Sequence, residues 1–358
     1  MSEKTTRLRH VKDANRVISA FTTAAGFMRG ISLKRFAPKI RRREFEELEK
    51  DPDSYRSRCQ LFREKGDGTA PTIVLGGFVP DATETVEFQR QLLRQHGSIY
   101  YMNYSRNGFS QNMFAAQLAD LIDELSQKGQ KPLVMGISFG GGLLAQFLRH
   151  ADIRIHDNIR GLVLVSPVIT TDDLIRPPHQ RKDGVRILES NLKKIVATDP
   201  DNETDMSRHI ERARRCFQAL FCAGAENRTM RIRHLTIRKK INDVIEYTSA
   251  RGGFERVIAL RDFRFPSFSS ALFSGPVLTL LAENEADILV TSSPTLKLFS
   301  EPSLYSRIFP ACTVKTVQSQ IAGDGVAHAS LIFHHESYNS LLENWYEKLS
   351  YPRLSLAV

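Results

Sequence analysis

One serine in the middle of the chain has the surroundings that a nucleophile needs. Ser138 is the central residue of the pentapeptide 136–140, which reads Gly-Ile-Ser-Phe-Gly, a G-x-S-x-G pattern. The apolar run 132–137 predicts a buried strand before it, and the apolar spacing of residues 143–150 predicts a helix after it. A serine held clear of a sheet on so sharp a turn needs a strained backbone, and glycines two positions away prevent collisions with strand and helix. The free N–H groups at the start of the helix would face a negative charge that develops beside the serine.

Strands and helices alternate on both sides of this turn. Besides 132–137, apolar runs predict strands at 58–63, 71–75, 98–104, 161–165, 276–281 and 313–319. Helical spacing of apolar residues predicts helices at 84–96, 114–126, 143–150 and 338–349. Alternation on this scale indicates βαβ units. The predicted fold class is therefore α/β, a mostly parallel central sheet with helices on both faces.

With these features the sequence resembles the α/β-hydrolase superfamily, from about residue 70 to residue 349 apart from a central insert. The resemblance implies a catalytic triad in the chain order serine, acid, histidine. In such a triad the histidine takes the proton of the serine hydroxyl and the carboxylate orients the histidine. Ser138 would be the nucleophile, which argues against superfamily members that use aspartate there, such as dehalogenases and epoxide hydrolases.

The resemblance places the histidine in the loop after the last strand. The glycine-rich stretch 321–328 fits that place and ends in His328, which is the predicted base. His334 and His335 follow a few residues later, where the last helix is predicted to begin, and they suit the role less well. The alternative for His328 is a loop histidine without a catalytic role.

The acid is expected in the loop 282–290, after the strand at 276–281. Family loops here commonly carry an acid followed three residues later by an apolar residue, and Asp287 with Val290 matches that pattern. Asp287 is therefore the predicted acid. Glu285 lies at the more usual distance from the end of the strand and is the alternative. A few families take the acid after the preceding strand, which would bring in Asp172 or Asp173.

An oxyanion hole needs two N–H donors that point at one spot before charge develops there. The backbone N–H of Phe139, directly after the nucleophile, would be one donor. The N–H of Phe78, in the turn after the strand at 71–75, would be the other. Many relatives have His-Gly at this turn, whereas this chain has Gly76 in the place of the histidine.

The composition is that of an ordinary soluble globular protein, with 358 residues, 41% of them hydrophobic and 25% charged. The four cysteines form no C-x-x-C pair or disulfide framework, which suits a reducing cytoplasm. No stretch approaches the roughly 20 apolar residues of a membrane span, and no convincing signal peptide precedes the body. The histidines and cysteines lack metal-ligand spacing, so we expect neither a metal nor a cofactor.

The net charge of +10 is concentrated at the N-terminus, where residues 1–45 hold twelve Lys/Arg against three Asp/Glu. The rest of the chain is nearly neutral, which does not favour nucleic-acid binding. Residues 1–50 are predicted to be a basic amphipathic helical segment with one apolar stripe. The stripe consists of Val11, Ala14, Ile18, Phe21, Ala25 and Met28, and continues through Ile31, Leu33 and Phe36. It could lie on an anionic membrane, giving peripheral contact, or pack on the hydrolase body.

The strand–helix alternation stops between residues 169 and 274, where helix-like stretches occupy 206–222, 230–248 and 254–261. This insert looks like a helical cap, and the core would consist of 51–168 and 275–358. An aromatic-rich cap would favour an apolar acyl or aryl substrate, although such residues can equally form the cap's own core. The aromatic and leucine positions are Phe217, Leu220, Phe221, Phe254, Phe263, Phe265, Phe268 and Phe273.

The function that these features predict is cleavage of a carboxylic ester, or of a thioester or amide, by a serine hydrolase working through an acyl-enzyme. Two alternatives remain open. An acyltransferase would use the same triad with an alcohol or amine in place of water. A membrane-surface or partner-binding protein would keep the hydrolase scaffold without the activity.

Overall fold

A mostly parallel sheet of eight strands forms the centre of the described part of the chain. The structure is a computed structural model that describes residues 33–177, 186–225, 232–261, 263, 271–321 and 323–350. The strand order is β1-β2-β4-β3-β5-β6-β7-β8. β1 lies at one edge, β2 runs antiparallel to both of its neighbours β1 and β4, and the six strands from β4 to β8 in this order run parallel to one another. The strands are β1 Leu33–Arg35, β2 Gln60–Glu64, β3 Thr72–Leu75, β4 Ile99–Asn103, β5 Leu133–Ile137, β6 Gly161–Val165, β7 Pro276–Ala282 and β8 Ala311–Val317.

Helices connect these strands and cover both faces of the sheet. Before the insert they are α1 Arg42–Lys50, α2 Ala82–Thr85, α3 Arg90–His96, α4 Gln111–Gln127, α5 Phe139–His150 and α6 Ile153–Asp157. After it come α11 Pro294–Ser300, α12 Pro302–Ile308 and α13 His335–Ser350. Three short 3₁₀ turns lie at Pro52–Ser57, Thr171–Asp173 and Glu285–Asp287. None of the described helices is both long and apolar enough to cross a bilayer.

The central strands β3 to β7 are buried on both faces of the sheet, because their successive side chains point to opposite sides and helices cover both sides. In β3, Ile73 and Leu75 join one hydrophobic cluster with α4 and α5, whereas Val74 joins a second cluster with α13. Both clusters consist of fully buried side chains. This explains why the strands read as continuous apolar runs, and the predicted α/β fold class is confirmed. Each predicted strand is present with ends shifted by at most two residues.

The order of the strands places two loops side by side. From β3 the chain crosses to β4 on one side of it and then returns to β5 on the other side. The carboxyl ends of β3 and β5 therefore meet at a point where the direction of winding reverses, which is where open α/β sheets bind ligands. The loop after β3 begins at Gly76, and the loop after β5 contains Ser138.

The described residues between β6 and β7 form four helices, namely α7 Arg186–Val196, α8 Glu203–Ala225, α9 Ile232–Tyr247 and α10 Ala250–Arg261. Their facing side chains form a small core of their own, including Leu192, Ile210 and Val257. α9 packs separately, with Ile241 against Ile332 of the body. The helices predicted at 206–222, 230–248 and 254–261 correspond to α8, α9 and α10.

The predicted N-terminal helical segment lies mostly outside the described residues, which begin at residue 33. Where it is described, the prediction that the helical stripe continues through Leu33 and Phe36 is wrong. Leu33–Arg35 is strand β1, paired with β2, and the ring of Phe36 packs on Tyr100 at 5.0 Å. Among the basic residues beyond Pro38, Arg43 contacts the body through ion pairs with Asp120 at 3.0 Å and with Asp123 at 2.7 Å. A short strand followed by a charged helix thus replaces the end of the predicted stripe.

Candidate active site

The serine sits on a strained turn between β5 and α5. Ser138 has φ 50° and ψ −113°, a backbone conformation that residues other than glycine rarely adopt. Its N–H donates to the Val165 carbonyl at 2.9 Å. A Cβ on Gly136 would lie 2.8 Å from the Gly140 carbonyl oxygen, and one on Gly140 would lie 2.5 Å from the Leu75 carbonyl oxygen. Glycine is therefore required at both positions by the tight contact between strand, helix and the neighbouring strand.

His328 bridges the serine and a carboxylate. Its Nε2 lies 2.9 Å from Ser138 Oγ, and its Nδ1 lies 2.5 Å from Glu285 Oε2. These distances fit an imidazole that donates its Nδ1–H to the carboxylate and accepts a hydrogen bond from the serine hydroxyl. His328 is the histidine that was predicted to be the base. The other candidates lie elsewhere: His334 Nδ1 is 2.8 Å from Ser330 Oγ, and His335 stacks on Phe88.

The carboxylate that meets His328 belongs to Glu285 and not to Asp287, so the predicted pairing of Asp287 with the histidine is wrong. Glu285 and Asp287 share one 3₁₀ turn with about three residues per turn, so positions two apart point in different directions. Glu285 points inward and is only 4% exposed. Asp287 is exposed at the edge of the cavity, and its carboxylate has no hydrogen-bond partner among the described residues.

Glu285 is held as an anion by its surroundings. Burial raises the pKa of this carboxyl, but attraction to His328, together with hydrogen bonds from His328, Ser166 and the Ala282 N–H, outweighs burial and lowers the pKa. The Ala282 N–H donates to Oε1 at 2.8 Å, which leaves Oε2 for the histidine. The arrangement can orient the imidazole and stabilise its protonated form.

The two alternative acids after β6 do not reach His328. The carboxylate of Asp173 is fully buried and accepts hydrogen bonds from the Thr295 hydroxyl at 2.7 Å and the Ser293 hydroxyl at 2.6 Å. It also accepts from the Ile169 and Thr170 N–H groups. Asp173 therefore fastens the loop after β6 to the start of α11. Asp172 is exposed and belongs to the same 3₁₀ turn.

One polar residue of this site, Ser166, is not among the residues predicted from the sequence. It follows β6 directly, is fully buried and has a φ of 44°. Its hydroxyl oxygen accepts a hydrogen bond from the Ala329 N–H at 3.0 Å, next to His328, and its hydroxyl group also bonds the Glu285 carboxylate. Ser166 thus links the acid to the histidine loop. Its position at the carboxyl end of a central strand was the available signal.

The backbone donors predicted for an oxyanion hole lie beside the serine. A Cβ added to Gly77 would be 3.9 Å from the Ser138 Cβ, so the turn after β3 reaches Ser138. The ring of Phe78 packs edge-on against that of Phe139 at 5.5 Å. Gly76 follows β3 directly, and a Cβ there would meet the Ala82 nitrogen at 2.7 Å. The tight turn into α2 therefore accounts for glycine at that position.

A cavity of about 410 Å³ opens above Ser138 and His328 and is walled mainly by apolar side chains from the cap and the body. Of the aromatic and leucine residues singled out in the insert, Phe217, Leu220 and Phe221 line it. Phe254 lies in the cap core, while Phe263 and Phe273 join the core of the body. Phe265 and Phe268 lie outside the described residues. A volume of this size suits a small-molecule ligand.

Comparison with known proteins gives a match in structure and none in sequence. No protein-family model matches the chain, and no curated protein matches it. An esterase from Exiguobacterium antarcticum is similar with a TM-score of 0.54 and 12% identity, covering 81% of this chain and 96% of that chain. MenH from S. aureus is similar with a TM-score of 0.54 and 12% identity, and the match covers 81% of this chain and 99% of that chain. The esterase RhEst1 from Rhodococcus sp. ECU1013 is similar with a TM-score of 0.53 and 14% identity, and the match covers 81% of this chain and 96% of that chain. The chain therefore has the α/β-hydrolase fold with a helical cap.

Proposed function

We propose that the protein is a serine hydrolase that cleaves a carboxylic ester with an apolar acyl or aryl group. The observation that carries this proposal is the hydrogen-bonded chain from Ser138 through His328 to Glu285. A hydroxyl, an imidazole and a buried carboxylate in this order are the components of nucleophilic acyl transfer. The esterases of similar fold support the same class of reaction.

The chemistry follows from the geometry. Ser138 Oγ attacks the ester carbonyl carbon while His328 Nε2 takes the hydroxyl proton, and Glu285 stabilises the imidazolium that forms. The N–H groups of Phe78 and Phe139 bind the oxyanion of the tetrahedral intermediate. The imidazolium then protonates the leaving alcohol, which leaves an acyl group on Ser138. Water, deprotonated by His328, attacks this acyl-enzyme and releases the carboxylic acid and the free serine.

The cavity supports an apolar substrate. Its wall includes Phe78, Leu192 and Phe217, which offer no hydrogen-bonding groups from their side chains. Burial of one methylene group contributes about 0.8 kcal/mol, so each added methylene should raise kcat/KM about fourfold until the cavity is full. A thioester or amide would fit the same chemistry. The ester is preferred over the amide because an alcohol is a better leaving group than an amine, and over the thioester because esterases are among the solved structures of similar fold.

An acyl chain-length series of aryl esters tests the proposal. We expect the wild type to hydrolyse them with a rising and then falling kcat/KM, and Ser138→Ala to be inactive. Ser300→Ala, at an exposed helix end with its hydroxyl bonded to the Lys297 carbonyl, is the matched control and should behave as wild type. No turnover of any ester by the folded wild type would contradict the proposal and favour a non-catalytic role. Turnover that depends on an added alcohol or amine would favour an acyltransferase.

Contact with an anionic membrane stays a prediction that rests on residues 1–32. One arginine of the predicted basic segment contacts the body and not a membrane, since Arg43 forms ion pairs with Asp120 and Asp123 of α4. A chain that starts at Leu33 would keep β1 and these ion pairs. Salt-sensitive co-sedimentation with anionic vesicles by the full chain, lost in the shorter chain, is the expected result. Equal behaviour of the two chains would contradict it.

A further inference from the structure

The cap helix α10 carries an arginine that is buried without a carboxylate partner. Arg256 is 2% exposed, and no carboxylate of a described residue accepts a hydrogen bond from its guanidinium. Burial lowers its pKa to about 10, with a further contribution from Arg106, so the side chain is still charged at neutral pH. Burying a charge without a carboxylate partner costs free energy, which its other contacts must offset.

The guanidinium makes its hydrogen bonds to backbone carbonyls around the active-site turn. Nη1 donates to the Phe78 carbonyl at 2.9 Å, and Nη2 donates to the Ser105 carbonyl at 2.8 Å. The guanidinium carbon also lies 5.4 Å from the centre of the Tyr104 ring. Arg256 therefore ties the turn after β3 to the loop after β4.

Tyr104 holds the other side of the same turn. Its hydroxyl donates to the Gly76 carbonyl at 2.9 Å, and its ring packs edge-on against Phe139 at 5.4 Å. Three consecutive peptide groups are involved. Tyr104 fixes the Gly76–Gly77 peptide through its oxygen, and Arg256 fixes the Phe78–Val79 peptide. The group between them, Gly77–Phe78, carries the N–H that is proposed to bind the oxyanion.

The helix that carries Arg256 is itself firmly seated on the body. The neighbouring Glu255 accepts hydrogen bonds from the Phe109 N–H at 2.7 Å and from Arg56 at 3.0 Å. The Ser249 N–H donates to the Arg106 carbonyl at 2.8 Å, and Gly252 packs so closely on that carbonyl that a Cβ would lie 2.6 Å from it. These contacts therefore hold the Arg256 guanidinium at a fixed position relative to the body.

We propose that Arg256 and Tyr104 are positioning residues that clamp the turn after β3, so that the Phe78 N–H points at the developing oxyanion. The inference rests on the proposed hydrolase function. Both flanking glycines leave the turn intrinsically loose, since glycine has the widest choice of backbone conformations. A donor aligned before the reaction contributes more than one that must be ordered during it, because no reorganisation is needed as charge develops.

The test compares Arg256→Met, Arg256→Lys and Tyr104→Phe with Glu255→Gln. This control removes the ion pair with Arg56 but keeps an oxygen acceptor for the Phe109 N–H, so α10 stays seated and the turn is not touched. The readouts are kcat and KM for an aryl ester, the inhibition constant of a trifluoromethyl ketone, and the melting temperature. The ketone forms a tetrahedral adduct with the serine, so its affinity reports the oxyanion site. Loss of a whole oxyanion donor costs about 10²–10³-fold in kcat. Because the donor here is misaligned and not removed, we expect about 10–100-fold for Arg256→Met and about 3–10-fold for Tyr104→Phe.

The expected pattern is a fall in kcat with little change in KM, a matching loss of ketone affinity, and partial rescue by Arg256→Lys. Glu255→Gln should lower the melting temperature while kcat stays within about twofold. The inference is overturned if Arg256→Met lowers only the melting temperature, or if Glu255→Gln loses as much kcat. Should Arg256→Met fail to fold, Tyr104→Phe decides, and a wild-type kcat and ketone affinity in that variant would refute the clamp. An inactive wild type would instead refute the proposed function, and the clamp with it.

Discussion

Replacement of Glu285 by glutamine should remove most of the activity while leaving the fold in place. The glutamine keeps the shape of the side chain, but its two ends differ. One end must meet the Ala282 N–H, which the carboxylate now accepts at 2.8 Å, and the other must meet His328 Nδ1. If the amide oxygen faces Ala282, the amide NH₂ faces the imidazole and favours the tautomer with the proton on Nε2. That tautomer cannot accept the Ser138 proton.

The size of the effect follows from the charge that is lost. Two unit charges about 4 Å apart interact by about 4 kcal/mol at an effective dielectric constant of about 20. Since about 1.4 kcal/mol changes a rate tenfold, loss of this stabilisation of the imidazolium lowers kcat about 10³-fold. The wrong tautomer adds to this loss, so about 10³–10⁴-fold is expected.

The assay is steady-state hydrolysis of an aryl ester, with Asp287→Asn as the matched control. Asp287 lies two residues away, is exposed and borders the same cavity, so its variant should keep kcat within about threefold. Circular dichroism and the melting temperature check that both variants fold. The reasoning is refuted if Asp287→Asn is the inactive variant, or if folded Glu285→Gln keeps more than about a tenth of the wild-type kcat.

Three further substitutions test the surroundings of the site. Gly140→Ala should destabilise the protein by about 1–3 kcal/mol in denaturant unfolding and lower kcat, because its Cβ would clash with the Leu75 carbonyl; wild-type stability would contradict the tight elbow. Ser166→Ala should lower kcat about tenfold in the ester assay, because the acid and the Ala329 N–H both lose a partner; unchanged kcat would show that the hydroxyl is dispensable. Glu189 receives hydrogen bonds from Arg176, and although burial raises its pKa, bonds from Lys193 and Arg176 lower it to about 2. Its stabilisation is therefore complete above the ordinary pKa of 4.5 and lost as the pH falls towards 2, so Glu189→Gln should cost about 1–2 kcal/mol at pH 7. That difference from wild type should shrink in unfolding curves between pH 4.5 and 2, and a constant difference would argue against an ionised pair.

The parts of the site that were predictable from sequence are those fixed by local geometry. The glycines at 136 and 140 surround Ser138 because backbone atoms within a few residues, and one adjacent strand, leave no room for a side chain. The central strands were equally predictable, because burial on both sides turns each of them into an apolar run. These signals lie within a short window of sequence.

The parts that were not predictable depend on contacts between distant segments. Glu285 and Asp287 are both acids in one short turn, and which of them points inward is decided by the Ala282 N–H and by His328, more than 40 positions later. Ser166 likewise acquires its role from Ala329, 163 positions away. The local signals are the distance of Glu285 from the end of β7 and the position of Ser166 at the end of β6, and neither identifies the distant partner.

The predicted helix at the N-terminal edge of the sheet is wrong for a related reason. Leu33 and Phe36 keep the spacing of the helical stripe, yet residues 33–35 pair with β2. The sheet offers a free antiparallel edge there, and the hydrogen bonds of a strand outweigh the weak helical preference of so short a stretch. Arg256 had no sequence signal at all, since it stands among several cationic residues of the insert and differs from them only by burial.

Mass spectrometry of the intact protein after reaction with a fluorophosphonate tests the triad most directly. We predict one added equivalent per chain, located on Ser138 by peptide mapping, absent in Ser138→Ala and formed far more slowly in Glu285→Gln than in Asp287→Asn. Labelling at another serine, or equal labelling rates in Glu285→Gln and wild type, would contradict the assignment of Ser138, His328 and Glu285 as the catalytic residues.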